Sequence, residues 1–488
     1  MPETKNWKAL LRTLTEDAPR RTAVTTDNSP GSNSQTLIKS SHQALIRDAF
    51  NYFLSKIVPG LMSFLSVLTF VRIMGVEEYG RYAVVFAFVM APASGLAGWL
   101  SQGILRFKSQ WYQREAAENF RHSALVGTIL SIAIGGLAVG IAMPALRVQG
   151  GWSLVVSLVL LGVLVVYTVA ISWLQASFRS AQVLRFEALR SVGSFLIPLA
   201  LFWVTRSTNY RLLLGGIALG YLLPLFGPVF ARARLQEQEE AGRIWRPSLS
   251  TEQQKILSDL WSFGWPVALW MLCQGSLVVS DRYFLQRYFG YSAAGTYASM
   301  YEVIVRSFSL LFMPITLAVH PIIMNQWNAG NRKHALQSIR TGLKYQLLMF
   351  IPIGICLAAL APWVSRLVLG KENAGAAEIV FPLAVGGFLW QVCLLSHKPL
   401  EILCQTKRML AGILAALAIN VGGNWLLVPR YGYRASAYLT VASSVVYLLS
   451  LFALTPMEEL RKVASPDQTA ARADKQPPGD EGFVTTSL

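Results

Sequence analysis

Charge is scarce in this sequence. Only 14% of its 488 residues are Asp, Glu, Lys or Arg, where a soluble protein carries roughly 25%. With 53% hydrophobic residues, that shortfall excludes an ordinary water-soluble chain. Cysteine is scarcer still. Cys273, Cys356, Cys393 and Cys404 all lie in apolar runs and form no C-x-x-C pair, so they read as small buried hydrophobes. No metal-ligand spacing, Walker A loop or G-x-S-x-G element occurs. The expectation is therefore no catalytic residue, no metal and no cofactor. Work would be driven by an ion gradient, the membrane potential or the gradient of a cargo. The first ~45 residues have no apolar h-region and so cannot be a secretory signal.

What the chain has in abundance is long apolar runs. A span needs about 20 mostly apolar residues. Twelve candidates lie near 50–74, 79–104, 121–144, 152–176, 183–204, 209–231, 260–286, 292–323, 342–368, 376–403, 407–428 and 433–455. The run at 292–323 is too long for one straight span, and Pro314 and Pro321 are its candidate kinks. Five segments are expected: a disordered tail (1–48), a lobe holding spans one to six (49–231), a linker (232–258), a lobe holding spans seven to twelve (259–456) and a second disordered tail (457–488).

The net charge of +17 does not point to nucleic acid, because the basic residues are scattered between apolar runs rather than gathered in a water-facing patch. They report topology. With a cytoplasmic N-terminus, about 30 of the 43 basic residues fall inside and about 11 outside, the bias of the positive-inside rule. Both termini are then cytoplasmic, and the polar stretch at 231–255 is a cytoplasmic linker.

Two stretches share one spacing. "RIMGVEEYGRYA" (Arg72 to Ala83) and "RYFGYSAAGTYA" (Arg287 to Ala298) both read R-x-x-G-x-x-x-x-G-x-Y-A. The first follows span one and the second follows span seven, so they hold equivalent places in two six-span halves. Halves with an even number of spans enter the membrane the same way and are related by an axis along its normal. Locally, Gly75, Gly80, Gly290 and Gly295 permit a sharp reversal. Tyr79, Tyr82, Tyr288 and Tyr297 suit the membrane interface, and Arg72 and Arg287 the outer headgroups.

An apolar helix, "RIMGVEEYGRYA" and a second helix ending "QGILRF" resemble the opening of polysaccharide (O-antigen type) flippases. These belong to the multidrug/oligosaccharidyl-lipid/polysaccharide exporter superfamily. "VVSDRYFLQRYFGYSAAGTYASMYEV", "HKPLEILCQTKRML" and "NWLLVPRYGYRASAYLTVAS" are similar to later parts of the same family. The resemblance runs in order over about 50–455. It implies an all-α polytopic membrane protein with two six-helix lobes around a central cavity, working by alternating access. It implies a polyprenyl-diphosphate-linked oligosaccharide as cargo, a bacterial inner-membrane location and a chain that functions as a monomer among membrane lipids. Polysaccharide polymerase machinery stays open as a partner.

A charge within a span costs about 2.5–3.5 kcal/mol at the bilayer centre on insertion scales, so such charges are the functional candidates. Lys56, Arg106, Arg306 and Lys398 are the candidate cavity cations for a diphosphate. Asp281, Glu302, His397 and Glu401 are candidates for coupling or gating. Glu302 and Arg306 share a helix face at i,i+4, as do His397 and Glu401. Both pairs also read as self-neutralising or as solvated helix ends. Asp281 also reads as the ion-pair partner of an arginine, holding a lobe together. Arg185, Glu187 and Arg190 read as a cytoplasmic cuff. Two rival functions remain: a cation-coupled multidrug exporter, which calls for an acidic cavity, and a polysaccharide polymerase, which calls for a long outside loop.

Overall fold

The computed structural model describes residues 33–113, 116–146, 151–226, 250–370, 376–403 and 405–455. The expected tail segments 1–32 and 457–488, and residues 232–249 of the expected linker, lie outside the described residues. The chain divides into two units, 1–50 and 51–488. The first contributes helical residues 33–50. Residues 33–48 were expected to be disordered from their polar composition. Ile38, Leu45 and Ala49 recur there at intervals of seven and four, which is helical spacing.

The second unit is built of helices, with no strand among the described residues. Hydrocarbon offers the backbone no hydrogen-bond partner, so a spanning segment must satisfy its own amides and carbonyls. Nine described helices are long and apolar enough to cross a membrane. Two of these are double. The helix Asn33–Gln113 breaks at Gly75 (φ 78°), and Thr251–Asn328 breaks at Gly290 (φ 81°). Each glycine sits in the left-handed region that side chains disfavour. The second unit therefore runs α1 (51–74), α2 (76–113), α3 (Ala117–Ala142), α4 (Gly151–Ala176), α5 (Ser180–Thr205) and α6 (Tyr210–Phe226). Then come α7 (251–289), α8 (291–328), α9 (Arg332–Leu369), α10 (Val380–Ser396), α11 (Thr406–Tyr431) and α12 (Tyr433–Leu454). These are the twelve expected spans. At about 1.5 Å per residue even the 17-residue α6 reaches about 25 Å, close to the hydrocarbon thickness. Leu137 and Ile141 on α3 are 67% and 71% exposed; a face of this kind suits lipid rather than water.

The backbone stays helical through Pro314 and Pro321, and the chain breaks at Gly290, where a reversal was expected. Two expectations need correction. Helix α7 begins at Thr251, inside the expected linker, because Ser250 and Gln253 form a capping box that starts it early. Cys356 is exposed rather than buried, on an apolar helix where a small thiol can face lipid.

The two halves repeat their packing. In the first lobe, α1–α6, Gly220 of α6 lies against the backbone of Ser194 on α5. In the second lobe, α7–α12, Gly423 of α11 lies against Leu439 on α12. Between lobes the two seams differ. Along α2 and α7, Gly264 meets the backbone of Trp99, and Gly275 would bring a Cβ within 2.9 Å of Ala91. The amide of Gln253 at the start of α7 donates to Asn119 of α3 (3.0 Å), and Ser123 of α3 donates to the Gln253 carbonyl (3.1 Å). That seam is closely packed between residues 91–103 of α2 and 260–275 of α7. The α1/α8 seam instead carries a recess, described below.

Candidate functional site

A cavity of about 390 Å³ lies between the lobes, lined from α1, α2, α5, α6, α7 and α8. Four cations reach it: Lys56, Arg190, Arg282 and Arg306. They fall into two clusters, each holding two cations on one carboxylate. In the first, Glu302 Oε1 takes Arg282 Nη2 at 2.5 Å, while its Oε2 pairs with Arg306 Nε. Arg282 also donates to the Ala83 carbonyl on α2 (3.1 Å), and Arg306 donates to the Ser63 hydroxyl on α1. Both arginines stand on the second lobe and reach into the first. In the other cluster, Glu187 pairs with Arg190 at 2.8 Å and with Lys56 at 3.9 Å. Arg190 lies over the rings of Tyr221 (4.9 Å) and Tyr167 (5.6 Å).

Each cluster keeps one positive charge in excess. Arg306 and Lys56 have side chains 42% and 37% exposed, while Arg282 is 3% exposed. Arg306 and Lys56 are thus the more exposed cations of the chamber, and Arg282 is the buried partner of Glu302. Tyr79, Tyr82 and Phe86 form a file of rings along α2, with neighbouring centroids 5.4 and 5.3 Å apart. Beside the cavity, between α1 and α8, lies a small recess of Phe53, Ile57, Pro314 and Leu317, which shares Lys56, Leu310 and Met313 with it. A charged chamber and an apolar annex thus meet at Lys56.

A second cavity of about 160 Å³ lies inside the second lobe. Its carboxylate is Asp281, 2% exposed. Asn420 (3.1 Å) and Asn424 (2.8 Å) donate to one oxygen, and Tyr297 (2.8 Å) and Thr440 (3.4 Å) to the other. All four donors are neutral. One helical step, about 100°, sends Asp281 to this pocket and its neighbour Arg282 to the central cavity.

The expected residues divide accordingly. Lys56, Arg306 and Glu302 line the central cavity. Asp281 lines the second-lobe pocket and pairs with amides and hydroxyls, not with an arginine. Arg106 is not among the lining residues of either cavity; it is exposed and lies over the ring of Phe263 on α7 at 5.6 Å. Lys398, His397 and Glu401 also lie outside both cavities and pair with each other, Lys398 to Glu401 at 2.6 Å and His397 to Glu401 at 3.6 Å. Arg190 and Glu187, expected in a cytoplasmic cuff, line or brace the central cavity. Tyr79 and Tyr297, expected at the membrane interface, are 3% and 1% exposed, Tyr79 between the lobes beside the cavity and Tyr297 inside the second lobe against Asp281 and Thr440, whereas Tyr288 is 42% exposed.

The fold is one shared with solved transporters of the MOP superfamily. The profile of the family described as "Polysaccharide biosynthesis protein" matches residues 45–327, more than half of the chain, and the chain belongs to that family. Solved structures agree on the fold. An inward-facing multidrug resistance MATE family transporter of the MOP superfamily superposes with a TM-score of 0.64 at 14% identity, covering 84% of this chain and 99% of that one. An outward-facing structure of the same description gives 0.60 at 17% identity, covering 86% and 96%. A MOP-superfamily transporter from Pyrococcus furiosus, described as having a binding pocket of reversed polarity, gives 0.61 at 15% identity, covering 86% and 96%. No curated protein matches the chain in sequence at a significant level.

Proposed function

We propose that this chain is a flippase that carries a polyprenyl-diphosphate-linked oligosaccharide across a bacterial inner membrane. The observation that carries the reading is the chamber itself. It holds an excess of cations and a file of aromatic rings. Those features match two parts of such a cargo. Guanidinium and ammonium groups suit the diphosphate, and ring faces suit sugars. The positive charge bias supports cytoplasmic termini, and in this reading the ends turned by Gly75 and Gly290 are periplasmic. Transport runs from the cytoplasmic to the periplasmic leaflet as one lobe rocks against the other. Asp281 is the coupling position, taking a cation or a proton in its own pocket. The protein is not an enzyme in this reading and acts as a monomer.

A cation-coupled multidrug exporter is the second reading. An excess of cations in the chamber opposes it, since it would repel cationic drugs. Deleting the gene from a strain with no second copy tests the choice. Lipid-linked repeat units should accumulate facing the cytoplasm, and Arg306→Ala should fail to restore the surface polysaccharide. Normal surface polysaccharide after deletion would overturn the proposal.

A further inference from the structure

The two copies of the repeated motif meet each other. A Cβ on Gly80 would collide with the carbonyl oxygen of Tyr291 and come within 2.9 Å of the Gly295 amide nitrogen. A Cβ on Gly295 would collide with the carbonyl oxygen of Val76 and come within 2.9 Å of the Gly80 amide nitrogen. Val76 and Tyr291 hold the same place in the two copies, as do Gly80 and Gly295. The contact is therefore symmetric: the first turn of α2 and the first turn of α8 lie backbone against backbone. Gly75 and Gly290 are different. They have positive φ, and a Cβ on either would meet nothing within 4 Å. The motif thus holds one glycine that bends the chain and a second that lets two helices touch.

Around the glycine contact other groups bridge the lobes at the same end. Arg81 of α2 lies over the Tyr291 ring of α8 at 4.7 Å, and Arg72 at the end of α1 donates to the Leu367 carbonyl of α9 at 2.6 Å. Tyr79 and Tyr82 of the first motif line the chamber directly behind the contact. We infer that Gly80 and Gly295 form the seal that closes the chamber at the end where Gly75 and Gly290 turn the chain. Closure requires both positions to lack a side chain, and the seal parts when the chamber opens to that side. The inference rests on the alternating-access part of the proposed function and not on the identity of the cargo.

The test uses one reporter thiol. Ser66 lines the chamber on α1, so Ser66→Cys, in a chain with its four native cysteines replaced by alanine, reports access. Vesicles of both orientations are treated with a membrane-impermeant maleimide. With both glycines present, the thiol should be protected from the seal side. Gly80→Val and Gly295→Val should each raise labelling from that side alone by about tenfold, as expected when a state populated at 10% or less becomes the major one. Gly75→Ala and Gly290→Ala should not. A chain that has lost its fold labels faster from both sides, which separates misfolding from a shifted gate. Gly80→Ala, a smaller intrusion, should give intermediate labelling with a retained melting transition. Unchanged labelling in the folded Gly80 and Gly295 variants, or equal labelling in the Gly75 variant, would overturn the seal. Labelling needs no cargo, so this result stands apart from the polysaccharide phenotype.

Discussion

Glu302→Ala should be the most damaging single change in the central chamber. The carboxylate is 14% exposed and holds two guanidiniums, one of them on a side chain only 3% exposed. Removing one partner of a buried pair leaves an uncompensated charge and costs about 3–5 kcal/mol. Arg282 would keep its bond to the Ala83 carbonyl but lose its counter-ion. The expected result is a lowered melting temperature in detergent together with loss of transport. Glu302→Gln fills the same space and keeps one carbonyl oxygen to accept from one of the two guanidiniums, its amide NH2 facing the other as a second donor, and should recover part of the stability. It should not recover transport, because the chamber then carries a further excess of positive charge and binds an anionic headgroup too firmly to release it. Wild-type stability in Glu302→Ala would show that the two arginines do not depend on this carboxylate.

Asp281→Asn should behave in the opposite way, with a small loss of stability and a large loss of coupling. Asp281 accepts two amide donors on one oxygen and two hydroxyls on the other. An asparagine can keep its carbonyl toward Asn420 and Asn424 and donate its amide to the hydroxyls of Tyr297 and Thr440, which accept as readily as they donate. The fold should therefore survive. What the amide cannot do is carry the negative charge that a cation or proton would neutralise. If Asp281 couples transport to a gradient, that dependence should fall by about 5–150-fold, the usual range of a coupling free energy. Downhill flipping should persist. Asp281→Ala would remove an acceptor shared by four buried donors; Asn424, Tyr297 and Thr440 keep second acceptors in Asn420 and Ser436, while the Asn420 amide loses its own, so the variant should be less stable than Asp281→Asn. Gradient-driven accumulation unchanged in Asp281→Asn would remove Asp281 from the coupling role.

The sequence carried the architecture well. Twelve apolar runs reappear as twelve helices because hydrocarbon admits few alternatives to a helix. The repeated motif marks the two halves, and its copies face each other in space. The Glu302–Arg306 pair was legible because an i,i+4 spacing has only one geometric meaning. Other residues were not legible, for definite reasons. A cation near a helix end looks the same in sequence whether it faces a chamber, a lipid headgroup or a neighbouring ring. Thus Arg106 and Lys398 were expected in the chamber and lie elsewhere, while Arg190 was expected outside and lies within. Asp281 and Arg282 are neighbours in sequence, yet one helical step assigns them to different cavities. Their destinations depend on how α7 is rotated in its packing, which α11 and α12 decide through Asn420, Asn424 and Thr440. Glycine was half legible. A reversal after an apolar run signals Gly75 and Gly290, but a helix–helix contact through Gly80 and Gly295 exists only once both lobes are assembled. The tyrosines were no more legible. Tyr82 lines the chamber, whereas its counterpart Tyr297 donates to Asp281 inside the second lobe. One repeated position thus faces the central chamber in one lobe and the Asp281 pocket in the other.

The central claim, that the cationic chamber carries an anionic lipid-linked oligosaccharide, is tested most directly by reconstitution. The purified chain would be placed in vesicles containing a polyprenyl-diphosphate oligosaccharide, with exposure of the sugar at the far leaflet followed by an added glycosidase. Faster exposure than in protein-free vesicles, reduced by Arg306→Ala, is the predicted result. No acceleration for this lipid, with acceleration for a cationic dye in the same vesicles, would contradict it.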